Sequence, residues 1–245
     1  MNNHTEFILS PITDILSDVV NSSAGIGDGI ETFPLCDYVM QSVFLKMTGF
    51  QEQKMKNVCW GLASNDYEYR YEFTKTPLGE CSNYKDKQII YKDLIKQIKK
   101  RHPGFNILAD LNKTKVLNDT TLQIKTKFEG TNLSIWAQKN FNEYDSIWNQ
   151  VQLMHFANDE GNLFTGTTTG ISLKKLYEDH LYRHRNRIAH NTQSYQQNLP
   201  TLKTLSDDDY RYENYFIHFS LLILIDSIFI ELFKKYLLVH EEYAE

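Results

Sequence analysis

Leu181-Tyr182-Arg183-His184-Arg185-Asn186-Arg187-Ile188-Ala189-His190-Asn191 is the stretch that decides how this chain is read. Upstream of it, Leu173, Leu176 and Tyr177 fall with Ile188 on one stripe of a 3.6-residue period. Ser172 is placed to cap the first turn. The spacing predicts an amphipathic helix from Ser172 to about Ala189, with its cations gathered in the last turns.

Working outward, a polar loop containing Pro200 and Asp207-Asp208-Asp209 separates this helix from a long apolar one over residues 213–238. That second helix has the length of a membrane span. However, His218, Asp226, Glu231, Lys234 and Lys235 interrupt it, and charges in hydrocarbon are costly, so a buried core helix is expected. Toward the N-terminus, Pro34 opens a helical run through Leu35, Tyr38, Val39, Val43, Phe44 and Met47 that continues to about Leu62. Ile89, Ile90, Leu94, Ile95 and Ile98 predict a helix over 85–100, which His102-Pro103-Gly104 ends.

The centre of the chain is less regular. Residues 120–126 alternate polar and apolar as a short extended segment does, and residues 132–156 return to helical spacing. Asp159-Glu160-Gly161-Asn162 and the threonine-glycine run to Gly170 are expected to be loop. The glycine-rich piece at 24–29 is not followed by the Lys-Ser/Thr pair of a phosphate loop, and a flexible connection is expected there. These elements predict one all-α domain over 1–245. It comprises an N-terminal extension (1–33), a central insertion (105–170) and the paired helices of 171–242.

The formal net charge of −5 gives no global basic character, so any nucleic-acid contact must be local. Cys36, Cys59 and Cys81 form no CxxC and no zinc-ribbon spacing, and buried reduced thiols are expected. Residues 1–10 lack the basic and apolar regions of a secretion signal, so a cytoplasmic location is expected.

Arg185-Asn186-Arg187-Ile188-Ala189-His190 resembles the signature of the HEPN superfamily of helical nucleases and nucleotide-binding proteins. In that family an Arg, usually followed by a small polar residue, precedes a His by four to six positions, and Asn191 suits the family's pattern too. The resemblance is anchored in the last third of the chain. It implies an all-α HEPN-like helical bundle and a metal-independent endoribonuclease, of a kind that often serves as a bacterial toxin or antiphage effector.

The chemistry suits these residue types. RNA carries its own nucleophile, the 2′-hydroxyl, so cleavage needs a base, an acid and a fixed positive charge for the phosphorane. The resemblance implies His190 as acid/base, Arg185 as phosphate clamp and Asn186 as an orienting residue. Arg183, Arg187 and His184 would contact RNA, tRNA among the substrates, and no cofactor or metal is called for. It also implies a homodimer with a composite active site, and a regulatory or antitoxin partner. On a regular helix, Arg185 and His190 point about 140° apart, whereas Arg183 and Asn186 share the His190 face, so Arg183 competes with Arg185 for the clamp role; Asn186, following Arg185, favours the latter.

Plainer readings compete. The cations could simply complement a helix C-terminus capped by Asn191. His180 and His184 have the i, i+4 spacing of a zinc pair, but they lie on the apolar stripe and are expected to be core or interface histidines. The polar runs at 51–54 and 66–72 are expected to be solvated, partly packed segments without a site. The rival function is a non-catalytic HEPN-like module that binds RNA, nucleotide or protein.

Overall fold

The computed structural model describes residues 3–166, 170–190 and 208–241. Among the described residues the fold is all-α apart from one two-stranded sheet. Its organising element is the C-terminal helix, which is buried on every side from residue 216 to 226. A helix apolar all round belongs in a protein core or a membrane span, and here other helices of the chain enclose it.

The helices in chain order are α1 (Asn3–Leu9), α2 (Thr13–Ser23), α3 (Phe33–Asn65), α4 (Tyr67–Lys75) and α5 (Tyr84–Arg101). The short α6 (Ile107–Asp110) precedes α7 (Lys113–Phe128), α8 (Asn132–Trp136) and α9 (Gln138–Trp148). A hairpin of β1 (Phe156–Asp159) and β2 (Asn162–Phe164) follows, then α10 (Leu173–Lys175), a wide turn at Leu176–Leu181, α11 (Tyr182–His190) and α12 (Tyr215–Glu241). Helices α1, α3, α5, α7 and α9 surround α12.

Local chemistry sets the boundaries. Pro34 sits in the first turn of α3, where its missing N–H costs nothing. Asp66 ends α3 and caps α4, its Oδ1 accepting the Tyr69 N–H at 2.8 Å. Asn83 caps α5 in the same way. Ser172 caps α10, as its spacing predicts.

Two expectations need correction. Residues 120–126 are helical, within α7, because Val116, Thr120, Ile124 and Phe128 recur every fourth residue and are all buried. That longer period outweighs a local alternation. The extended segment lies instead at 156–164, where Glu160-Gly161 turns the hairpin and Tyr91 Oη donates to the Asp159 carbonyl at 2.9 Å. The run at 51–54 is also not simply solvated. Gln51 and Lys54 are fully buried, with Gln51 Nε2 donating to the Leu222 carbonyl. Residues 1–33 contribute Ile8, Ile12, Ile15 and Leu16 to the same core as α12.

Candidate functional site

The wide turn at Leu176–Leu181 prepares the site. The Tyr182 N–H bonds the Tyr177 carbonyl five residues back, the mark of a π turn. On a regular helix Leu176 and Leu181 would point about 140° apart. The extra residue lets Leu176, Tyr177 and Leu181 all enter the core. Below this turn α11 is an ordinary α-helix and runs unbroken to His190.

That continuity settles where positions lie on the helix. Arg183, Asn186 and Arg187 are seven, four and three residues before position 190 and share its face. Arg185 is five before it and lies on a different face. The side chain of His190, together with Asn191 and the loop containing Pro200 and Asp207, is outside the described residues.

Arg185 turns toward α3. Its Nη2 lies 3.1 Å from Glu52 Oε1 and 3.4 Å from Oε2, while Nη1 donates to Asn186 Oδ1 at 3.1 Å. Both partners of the ion pair are mostly buried, with 21% and 15% of their side chains exposed. Arg183 is well exposed and pairs with Asp179 at 3.0 Å.

Arg187 belongs to a second cluster centred on Glu213. Arg187 Nη2 reaches Glu213 Oε2, and His180 Nδ1 lies 3.3 Å from Oε1. His184 Nδ1 lies 3.5 Å from Oε2 and 3.3 Å from Arg187 Nη2. Burial pushes the His184 imidazole down to about 4, with the Glu213 charge opposing and Arg187 assisting. The neutral ring then accepts at Nδ1 from Arg187. Burial raises Glu213, but His180, Arg187 and His184 overcome it and hold the carboxylate below its usual range.

Behind His184 stands His218 of α12, their ring centroids 5.4 Å apart, with Phe44 and Tyr215 closing the stack. Burial drives His218 well below its ordinary value, and the nearby His184 and His180 add to this. His180 and His184 thus converge on a carboxylate, in a partly buried setting. Among the described residues, no group of three or more His, Cys, Asp or Glu is arranged to hold a metal ion.

No protein-family model, curated protein or solved structure matches this chain.

Sequence reading assigned no role to Glu52, Glu213, His218 or Lys87. Glu52 carried one usable signal: it sits within a long helical period beside positions that the period directs inward. Glu213 had none, because its neighbours come from a helix more than twenty residues earlier.

Proposed function

We propose that the chain is a metal-independent endoribonuclease of the HEPN type. The observation that carries this reading is the unbroken α11, which puts Arg183, Asn186, Arg187 and position 190 on one face. It gathers Arg183, Arg185 and Arg187 on two turns of a helix, each paired with a carboxylate of its own chain that a polyanion would have to replace.

In this reading the 2′-hydroxyl attacks the adjacent phosphorus, forming the O2′–P bond as the P–O5′ bond breaks. His190 takes the 2′ proton, and a second histidine, supplied by a second copy of the chain, protonates the leaving 5′ oxygen. Arg183 and Arg187 hold the substrate backbone, with His184 behind them. Asn186 orients the guanidinium of Arg185, which stabilises the phosphorane once it is free of Glu52. The products carry a 2′,3′-cyclic phosphate and a 5′-hydroxyl. A toxin or antiphage role, restraint by an antitoxin-like regulator and a cytoplasmic location belong to the same proposal.

A non-catalytic HEPN-like module binding RNA, nucleotide or protein is the second reading. The occupation of Arg185 by Glu52 favours it, since a paired guanidinium is not ready for chemistry.

The test is cleavage of total RNA and of tRNA in excess EDTA, comparing the wild type with His190→Ala and Arg185→Ala. Cyclic-phosphate ends from the wild type, and loss of cleavage in both folded variants, are the expected result. Undiminished cleavage by His190→Ala would refute the assignment. Silence of the wild type on every RNA, with retained binding, favours the second reading.

A further inference from the structure

The Glu52 carboxylate holds the guanidinium of Arg185. A guanidinium presents the same planar fork to a carboxylate as to a phosphate, so either anion can fill it. Both Glu52 oxygens face Arg185 Nη2, at 3.1 and 3.4 Å. Arg185 is further fixed by Asn186 Oδ1, so its donors are already oriented.

Two other cations stand near the same carboxylate. Lys56 lies one turn along α3, is 40% exposed, and bonds the mostly exposed Glu80. Lys87 of α5 is buried, donating to the Cys81 carbonyl at 2.6 Å, and feels the charges of both Glu52 and Arg185. A Glu52 displaced from Arg185 therefore does not become an isolated charge in a low-dielectric site. The charges of Lys56 and Lys87 still act on it, which offsets part of the cost of exchanging it for another anion.

We infer that Arg185 and Asn186 form a phosphodiester subsite that Glu52 occupies in the free protein, and that RNA binds there by displacing the Glu52 carboxylate. This rests on the ribonuclease reading for the identity of the ligand. It adds that affinity is set by competition between an internal and an external anion, so the free protein is held in a low-affinity state.

The probe is a fluorescein-labelled single-stranded oligoribonucleotide with 2′-O-methyl riboses, which can bind but has no nucleophile for cleavage. Binding is read by fluorescence anisotropy at fixed salt. E52Q is expected to bind about tenfold more tightly than the wild type, because it removes the competitor and keeps the shape. E52D keeps the charge but shortens the reach, and is expected to fall between the two; it also serves if E52Q does not fold. E72Q makes the same change of net charge at an exposed carboxylate that pairs with Lys75 and not with Lys56, and is expected to change affinity less than about twofold. Adding R185A to E52Q is expected to abolish the gain.

The inference is overturned if E52Q and E52D bind no more tightly than E72Q, if the gain survives R185A, or if the wild type and E52Q both fail to bind. These results separate from the fate of the ribonuclease reading. Tighter binding by E52Q without cleavage of ordinary RNA by any variant sustains the subsite and removes the enzyme. Cleavage by the wild type without any gain in E52Q does the reverse.

Discussion

Lys54 and Asp226 form an ion pair of 2.5 Å in which neither side chain reaches solvent. The pair joins the middle of α3 to the middle of α12. Its remaining valences are used by the N-terminal segment: Asp226 Oδ2 accepts the Ile12 N–H at 2.9 Å, and Lys54 Nζ donates to the Ser10 carbonyl at 2.6 Å. Burial pushes Asp226 up and Lys54 down, while each partner's charge works against that. Removing one partner leaves a buried charge uncompensated. Asp226→Asn is expected to cost about 3–5 kcal/mol, and the double variant Lys54→Met, Asp226→Leu less than that. Urea unfolding measures both, and a double variant worse than Asp226→Asn would contradict the account.

Acid is expected to destabilise the protein through His184. Its folded value of about 4 lies below the 6.5 of a free imidazole, so the unfolded chain takes up the proton first. Stability therefore falls as pH drops from about 6.5 toward 4, by at most about 3 kcal/mol from this site. Glu213, held below its usual range, adds a loss of the same sign at lower pH. His184→Phe, aromatic and unable to titrate, is expected to show a flatter curve of unfolding free energy between pH 7 and 5. An unchanged curve would place the acid sensitivity elsewhere.

The three cysteines are expected to be inert in the native state. All are free and buried, and burial pushes the Cys59 thiol up to about 12 and the Cys81 thiol up to about 11. At pH 8 the lower thiolate fraction of Cys59 and Cys81 alone slows their attack on a disulfide reagent by about 100-fold or more, and burial raises the Cys36 thiol in the same direction. Labelling with and without guanidinium checks this, the expected result being modification of all three thiols only after unfolding.

RNA contacts from the face shared with position 190 should appear in the salt dependence. If Arg183 and Arg187 each neutralise one phosphate of a single strand, replacing either with Ala reduces the slope of log affinity against log salt by about 0.7. Affinity should fall similarly for unrelated sequences, because phosphate contacts carry no base information. Titrations of the non-cleavable oligoribonucleotide at several salt concentrations provide the slopes. Slopes equal to the wild type in both variants would move the backbone contact away from this face.

The long helices were legible from the residues alone, but not all of their buried faces: Leu35 and Tyr38, on the stripe read for the start of α3, are exposed, and Cys36 and Met40 are buried instead. The period of Leu35 to Leu62 became α3, that of Ile89 to Ile98 became α5, and the apolar run after residue 213 became the buried α12. These follow from local periodicity, which needs no knowledge of partners. Short pieces were less legible. Thr120 to Thr126 alternates over too few residues to reveal that Val116 and Phe128 continue a helical stripe.

The electrostatics came with the packing. Arg185 meets Glu52 across 133 positions, and Arg187 meets Glu213 across 26. The burial that lowers His184 comes from Phe44, Tyr215 and His218, on two other helices. Charge pairing and desolvation depend on distance in space, and a sequence motif fixes only distance along the chain. The arginine that the motif singles out is therefore legible as a residue. Whether its guanidinium faces a substrate or a carboxylate of its own chain was settled by the packing of α11 on α3.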